Sequence, residues 1–183
     1  MNKTYNWAIL GCGHIANKFA NDLKLLPNAK LYATASRDLN RAQDFADKYG
    51  FEVAYGSYQE MVNDPKVDAV YIATPHSHHH EHSLLCLNHK KAVLCEKAFA
   101  LNLNEGKEMV ACAKDNNTFL MEAFWTMFQP SFIKAMEIIK SGELGNLKIL
   151  RSDFAFNAPF NEDRRLYNTK LGGSSLLEIG IYP

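Results

Sequence analysis

The sequence lacks an excess of charge of either sign. Its 20 lysine and arginine residues balance its 20 aspartate and glutamate residues, and the basic residues form no long run. Proteins that bind the phosphate backbone of nucleic acids present a basic surface. The balance therefore argues against nucleic acid as a partner.

Cysteine pairs and long apolar runs are also missing. The four cysteines, at positions 12, 86, 95 and 112, are far apart and form no Cys-x-x-Cys pair, so neither a zinc ribbon nor a disulfide framework is expected. The apolar run near the N-terminus is too short for a secretory signal or a membrane span. These absences favour a cytoplasmic protein with reduced thiols and no membrane partner.

What the sequence does contain is a regular alternation of strand-like and helix-like segments. The 183 residues, 47% of them apolar, suffice for one domain and part of another. Apolar runs predict strands over 5–10, 30–36, 53–55, 69–73, 92–95 and 118–122, and helical spacing predicts helices over 15–26, 39–49, 58–62, 81–88 and 104–115. This order predicts an α/β fold over residues 1–123, with helices on both faces of a doubly wound parallel sheet.

Residues 124–183 follow a different pattern. A helix is expected over 130–141, ending at Gly142, and the alternation in ILRSDFAFN predicts a strand of a new sheet over 147–157. A loop over 158–171 and a terminal segment over 172–183 follow. Because one or two strands cannot form a stable sheet alone, this part is expected to be the incomplete start of an α+β domain.

A glycine loop stands between the first strand and the first helix. Residues 11–16, GCGHIA, have the G-x-G-x-x-G/A form in a βαβ context. Gly11 would make the tight turn and Gly13 would let the backbone approach a pyrophosphate, while the amides at His14 and Ile15 open the helix toward the anion. The pattern predicts a dinucleotide-binding Rossmann domain; the alternative is a glycine turn in another α/β protein.

The end of the second strand bears on the choice of cofactor. An acid placed there would bind the 2′-hydroxyl of NAD, but this strand ends in Ser36 and Arg37, with no acid before Asp38. A hydroxyl and a guanidinium suit a phosphate, so NADP is favoured and NAD remains possible. The alternative is that Arg37 is a solvated loop residue.

Five histidines lie within residues 76–82, directly after the fourth predicted strand. A metal site is the obvious hypothesis, but no cysteine is near and the run begins where a doubly wound sheet places its ligand crevice. We therefore expect no functional metal, although His78 and His82 would share a helix face and could bind zinc or nickel adventitiously.

Glu96 and Lys97 follow the fifth strand at the same edge of the sheet. A lysine there could act as acid or base, or could lower the pKa of a neighbouring phenol. The alternative is an exposed Glu-Lys loop.

Four segments in order resemble the glucose–fructose oxidoreductase/inositol dehydrogenase (Gfo/Idh/MocA) family: GCGHIA at 11–16, ATPHSHH at 73–79, CEKAFALN at 95–102 and GGSSLLEIGIYP at 172–183. MEAFWTMFQP at 121–130 is similar to the dihydrodiol dehydrogenase/D-xylose dehydrogenase branch. The resemblance implies an NAD(P)-dependent dehydrogenase with a crevice between a Rossmann domain and an α+β domain. It also implies a sugar or diol substrate and a homodimer in a full-length form.

The resemblance also implies roles for individual residues. Lys97 matches the lysine of the family's E-K-P motif, with Ala98 in place of proline, and Tyr182 matches the acid/base tyrosine of the nearer branch. Glu178 stands where aspartate is usual, after the glycine run Gly172-Gly173. The loop beside the nicotinamide and the substrate pocket are matched by Thr74, Pro75, His79 and Trp125, although Trp125 could instead be a core residue.

Two functions remain open from the sequence. One is an NADP-dependent dehydrogenase that acts on a sugar or trans-diol. The other is a nucleotide-binding module or redox sensor without turnover. Members of the resembled family continue beyond the position of Pro183, so we expect either a fragment of a longer product or a truncated gene. The sequence does not name the substrate.

Overall fold

The computed structural model describes residues 3–162 and 164–183. Its centre is a six-stranded sheet in the order β3-β2-β1-β4-β5-β6, and every neighbouring pair is parallel. The strands are β1 Tyr5–Leu10, β2 Ala29–Ala35, β3 Val53–Tyr55, β4 Ala69–Ile72, β5 Ala92–Glu96 and β6 Leu120–Ala123. The predicted doubly wound Rossmann sheet is confirmed.

Five helices connect these strands: α1 His14–Leu23, α2 Leu39–Tyr49, α3 Tyr58–Asn63, α4 His79–Asn88 and α5 Leu103–Asp115. Asp38 is the expected N-cap of α2, since its carboxylate accepts a hydrogen bond from the Asn40 amide at 2.9 Å. Gly50 ends that helix with a left-handed φ of 82°. A 3₁₀ turn, His76–His78, precedes α4, which begins at His79, two residues earlier than predicted.

Apolar side chains alternate between the two faces of the sheet. In β1, Ala8 and Leu10 belong to the core under α3, α4 and α5, whereas Ile9 belongs to the core under α1 and α2. All four residues of β4 are buried, as expected for a central parallel strand. Between β1 and β4 the chain reverses its winding, which opens a crevice at the carboxyl ends of these two strands.

A partly buried polar cluster joins β2 and β3 to the segment after α3. The Asp64 carboxylate accepts hydrogen bonds from the hydroxyls of Tyr32 and Tyr55, each at 2.7 Å. The Lys91 ammonium donates to the backbone oxygens of Asp64 and Val67. Burial and the Asp64 carboxylate raise the pKa of Tyr32 to about 12, so the phenol remains a hydrogen-bond donor at neutral pH.

Residues 124–183 contain helices and turns. A 3₁₀ turn Trp125–Phe128, α6 Pro130–Ser141, two 3₁₀ turns at Arg165–Tyr167 and Thr169–Leu171, and the short α7 Ser175–Glu178 make up their regular structure. The predicted α6 ends at Gly142, whose φ is 81°.

The strand predicted over 147–157 is wrong, because these residues pair with no strand among the described residues. Ile149 and Leu150 are 75% and 77% exposed. Alternating apolar residues fit a strand only when a neighbour takes up the backbone hydrogen bonds and covers one face. In the part of the chain that the structure describes, no helix combines the length and apolar character needed to cross a membrane.

Candidate active site

The crevice at the carboxyl edge of the sheet is a cavity of about 530 Å³. Four loops of the Rossmann part and the C-terminal segment line it. The predicted site residues among its walls are Gly11, Gly13, His14, Ile15, Ser36, Arg37, Thr74, Pro75, Glu96, Lys97 and Tyr182. Three predicted residues lie elsewhere: His79 and Glu178 are buried behind the wall, and Trp125 lines a neighbouring cavity.

The glycine loop has the geometry that an anion-binding turn requires. Gly11 has φ +97°, and a Cβ added there would lie 2.9 Å from the Cγ2 of Thr74. A Cβ at Gly13 would meet only the Ala73 oxygen, at 3.6 Å, so the protein itself does not require glycine at this cavity-lining position. Gly13 caps α1 without a side-chain hydrogen bond. The amides that open α1 therefore suit a bound phosphate, and a dinucleotide fits this cradle.

Basic residues lie at the end of the cavity near β2. Arg37 follows Ser36, and Arg41, one turn along α2, donates from Nη2 to the Cys12 oxygen at 3.0 Å. Glu96 is the only acid among the described residues that line the cavity. Sequence reasoning missed Arg41, although its i+4 spacing from Arg37 places both near the start of one helix.

His79 supports the cavity wall from behind. Its ring is fully buried, with Nε2 at 2.9 Å from the Thr74 oxygen and Nδ1 at 2.8 Å from the Ala98 oxygen. Burial lowers the pKa of His79 to about 4, although the two backbone oxygens raise it, so the ring is neutral near pH 7. A neutral ring has one N–H, so His79 donates to one of these oxygens and packs against the other, between the loop after β4 and the loop after β5.

The remaining histidines spread over α4 and the turn before it. The rings of His78 and His82 stack with centroids 5.5 Å apart, while His80 pairs with Glu108. His82 also meets the Thr74 hydroxyl, at 3.0 Å. Within residues 3–162 and 164–183, no three histidine, cysteine or acidic side chains form a group that could hold a metal ion.

Lys97 lies at the inner wall of the cavity. Its Nζ donates to the Glu178 backbone oxygen at 2.9 Å and lies 5.3 Å from the Tyr182 ring centroid. Its side chain is only 16% exposed, which contradicts the alternative of an exposed Glu-Lys loop. Burial lowers the pKa of Lys97, the Glu178 carboxylate opposes this, and the Arg165 charge lowers the pKa further. The Lys97–Ala98 peptide bond is cis.

Glu96 is held by its neighbours in the sheet. The Tyr71 hydroxyl donates to Glu96 Oε1, and the Lys97 amide donates to Oε2 at 3.2 Å. Burial raises the pKa of Glu96, although the Tyr71 hydrogen bond and the Lys97 amide lower it. Glu96 thus places a half-buried carboxyl in the cavity wall beside Lys97.

Glu178 lies behind Lys97 and is paired with an arginine that the sequence did not single out. The Arg165 guanidinium contacts both carboxylate oxygens, with Nη1 on Oε1 and Nη2 at 3.0 Å from Oε2. His76, also missed, lies between them and the glycine pair: Nε2 is 3.2 Å from Arg165 Nη1 and Nδ1 is 3.3 Å from the Gly172 oxygen. No motif marked Arg165, since its partners are distant along the chain.

Tyr182 lines the cavity, and Trp125 lies in the wall of the neighbouring one. Burial and the Glu96 charge raise the pKa of Tyr182, and a side-chain hydrogen bond with Trp125 lowers it. Lowering of the phenol pKa by the lysine, one of the roles considered for Lys97, is therefore not seen. Trp125 is 48% exposed and lines an adjacent cavity of about 290 Å³, which shares Ile15 and Glu96 with the first. This exposure argues against the alternative that Trp125 is a core residue.

Comparison with known proteins covers most of the chain. A sequence model of the GFO_IDH_MocA family, described as an oxidoreductase family with an NAD-binding Rossmann fold, matches residues 5–124. The trans-1,2-dihydrobenzene-1,2-diol dehydrogenase of Mus musculus is 43% identical over 178 residues, which are 96% of this chain and 53% of that protein. The chain thus spans about half the length of this relative.

Solved structures agree with this relationship. The 3-ketoreductase KijD10 of Actinomadura kijaniata, solved with NADP and TDP-benzene, matches with a TM-score of 0.86 at 26% identity, over 99% of this chain and 55% of that one. A levoglucosan dehydrogenase solved with NADH and L-sorbose matches with a TM-score of 0.75 at 25% identity, over 79% of this chain and 41% of that one. This chain therefore belongs to the GFO_IDH_MocA family of oxidoreductases, which have an NAD-binding Rossmann fold.

Proposed function

We propose that this chain binds NADP(H) and supplies the proton-transfer residues of a dehydrogenase that acts on a hydroxyl of a sugar or trans-dihydrodiol. The observation that carries the proposal is that the glycine loop, Lys97 and Tyr182 all line one cavity. The mouse relative is named for a dihydrodiol, and the levoglucosan dehydrogenase was solved with L-sorbose. Both names support a vicinal diol as the substrate class.

The cofactor would be held by the loop after β1 and by the basic end of the cavity. The uncapped amides at the start of α1 suit a pyrophosphate, and Arg37 and Arg41 suit a 2′-phosphate. Because no acid lines that end among the described residues, NADP is favoured over NAD. When bound, the nicotinamide supplies or accepts the hydride.

Lys97 and Tyr182 would together bind the substrate hydroxyl and transfer its proton. In the oxidation direction the substrate loses the C–H hydride and the O–H proton. Tyr182, whose pKa is raised, stays protonated near neutral pH and can donate a hydrogen bond to the substrate oxygen. Lys97, whose pKa is lowered, is better suited of the two to take the proton. Trp125 would then cover the substrate from the adjacent cavity.

Cofactor binding can be measured directly on this chain by calorimetry. We expect NADP(H) to bind more tightly than NAD(H) by about 1–3 kcal/mol, the contribution of charge-assisted phosphate contacts. R37Q and R41Q should each remove part of this difference, and K107Q, an exposed charge on α5, is the matched control. Equal affinities in the wild-type chain would contradict the proposed role of Arg37.

Turnover is tested with a panel of trans-diols and aldoses, followed by dinucleotide absorbance. K97A should leave NADP binding nearly unchanged and reduce turnover about 10²–10⁴-fold, with K107A as control, and Y182F should also reduce it. A wild-type chain that binds NADP tightly but turns over no member of the panel would instead support the nucleotide-binding module.

Two further properties complete the proposal. We propose a reducing compartment, the cytoplasm, because all four cysteines are free and two of them are buried. We also propose homodimer formation by the full-length form, since large apolar residues in the C-terminal part, such as Phe128 and Leu150, are exposed here. Sedimentation of a full-length form would test the second point.

A further inference from the structure

We propose that Arg165 is a positioning residue: by contacting both oxygens of the buried Glu178 carboxylate, it keeps Lys97 from forming a close ion pair there and leaves the lysine amino group beside the cavity. The inference assigns a role to a residue that no sequence motif marks. The inference rests on the proposed function only for the role of Lys97 in proton transfer. Its test does not require turnover.

The first argument is geometric. Glu178 is 5% exposed, so its carboxylate requires a paired charge. Two cations are within reach, Lys97 from the loop after β5 and Arg165 from the 3₁₀ turn Arg165–Tyr167. The guanidinium makes a two-pronged contact, with a hydrogen bond from Nη2 to Oε2 and an ion-pair contact of Nη1 with Oε1, which has no hydrogen-bond partner among the described residues. Lys97 Nζ lies 3.9 Å from the nearer carboxylate oxygen and donates instead to the Glu178 backbone oxygen. The arginine, and not the lysine, therefore makes the close contact with this carboxylate.

His76 is the other group that faces the carboxylate, with Nδ1 3.8 Å from Oε1. Its Nε2 lies 3.2 Å from Arg165 Nη1 and 3.1 Å from the Lys97 backbone oxygen, and its Nδ1 lies 3.3 Å from the Gly172 oxygen. Burial lowers the pKa of His76, while Glu178 raises it, and the net result is a neutral ring near pH 7. His76 therefore packs against Arg165 without supplying the positive charge that Glu178 needs.

The groups around Lys97 have opposite effects on its protonation. Glu178 and Glu96 favour its protonated form, burial and Arg165 disfavour it, and Tyr182 contributes an aromatic face. Without Arg165 the Glu178 carboxylate would face His76 Nδ1, at 3.8 Å, and Lys97 Nζ, at 3.9 Å, and with a neutral His76 the cation that could pair with it would be Lys97. The lysine would be drawn toward Glu178, and more of it would be protonated at a given pH.

The test is the pH dependence of Lys97 acylation, measured on the intact chain by trace labelling with isotopic acetic anhydride and mass spectrometry. Only the free amine reacts, and exposed Lys140 on α6 serves as the internal reference. R165Q should reduce relative labelling of Lys97 near pH 8 about tenfold, since a one-unit rise in pKa leaves about a tenth of the free amine. R164Q, which removes the adjacent exposed arginine, should keep the wild-type profile.

Two more variants separate the two-pronged contact from a general effect of charge. R165K keeps the charge but cannot span both oxygens, so it should show most of the R165Q change. In an E178Q background the effect of R165Q should fall below about threefold, because the shared carboxylate is gone. These variants also carry the test if R165Q fails to fold by circular dichroism.

The proposal is overturned by an R165Q labelling profile within about twofold of the wild type, or by an R165K profile equal to the wild type. Failure of the proposed function is a separate result. It would appear as unchanged turnover in K97A, whatever the labelling shows. A changed profile together with an active K97A would mean that Arg165 positions a lysine that the reaction does not use.

Discussion

Acid should destabilise this fold through a histidine that is neutral when folded. His79 is fully buried between two backbone oxygens, and its pKa is lowered from 6.5 to about 4 by burial. As the pH falls below about 6.5, the unfolded chain binds a proton at this position while the folded chain does not. Stability is therefore lost as the pH decreases, and the loss is complete near pH 4.

The size of the effect follows from the two pKa values. A difference of about 2.5 units corresponds to about 3 kcal/mol in full, of which about 2 kcal/mol develops between pH 7 and pH 5. His82, whose pKa is also lowered to about 4 by burial, acts in the same direction. Such a loss is a large fraction of the stability of an ordinary domain.

Urea unfolding followed by circular dichroism at several pH values measures this dependence. H79N should be less stable than the wild type near pH 7, because the neutral ring's one N–H donates to a buried backbone oxygen, but its stability should fall by about 2 kcal/mol less on going to pH 5. H80N removes a partly exposed histidine from the same helix and separates burial from the mere loss of a histidine. Parallel curves for the wild type and H79N would refute the reasoning.

Two other predictions concern the glycine loop and the partly buried polar cluster around Asp64. G11A should weaken NADP binding at least about tenfold, because the added Cβ would lie 2.9 Å from Thr74 Cγ2 beside the phosphate cradle. G142A, with a similar φ of +81° but nothing within 4 Å, should cost stability without affecting calorimetric binding, and equal weakening in both would contradict the argument. D64N should cost about 1–3 kcal/mol in urea unfolding, because one amide oxygen replaces the carboxylate that accepts from two tyrosines. D22N, in an exposed pair, should change stability little, and a D64N chain as stable as D22N would show that the cluster adds nothing.

The Rossmann part could be predicted because its signals are local. Strand and helix periods, the Asp38 cap and the left-handed Gly50 all lie within the elements that they define. The start of α4 was predicted late because a run of histidines carries no apolar period. The strand over 147–157 was wrong for a related reason, since a strand depends on a partner that its own sequence does not contain.

In the candidate site, too, the residues with a local sequence signal were predicted and those with only distant contacts were not. The glycine loop and the residues after β2, β4 and β5 were predicted because every parallel strand delivers its carboxyl end to one edge. Arg165 was not predicted, since its contact His76 lies 89 residues away in the sequence. Arg41 could have been found from helical spacing. Lys97 was found, but its distance from the Glu178 carboxylate depends on the arginine and not on any local pattern.

The glycine pair 172–173 explains how the C-terminal segment reaches the crevice. A Cβ at Gly172, whose φ is +82°, would lie 2.7 Å from the His76 Cβ, and one at Gly173 would overlap the Arg165 backbone oxygen. Only glycine, which has no Cβ, allows the backbone to approach these atoms so closely. Gly172 therefore lets the C-terminal segment pack against the loop after β4. Gly173 lets the same segment pack against the 3₁₀ turn Arg165–Tyr167. Because that turn carries Arg165, the glycine pair that brings Tyr182 to the cavity also brings the arginine that pairs with the Glu178 carboxylate beside Lys97.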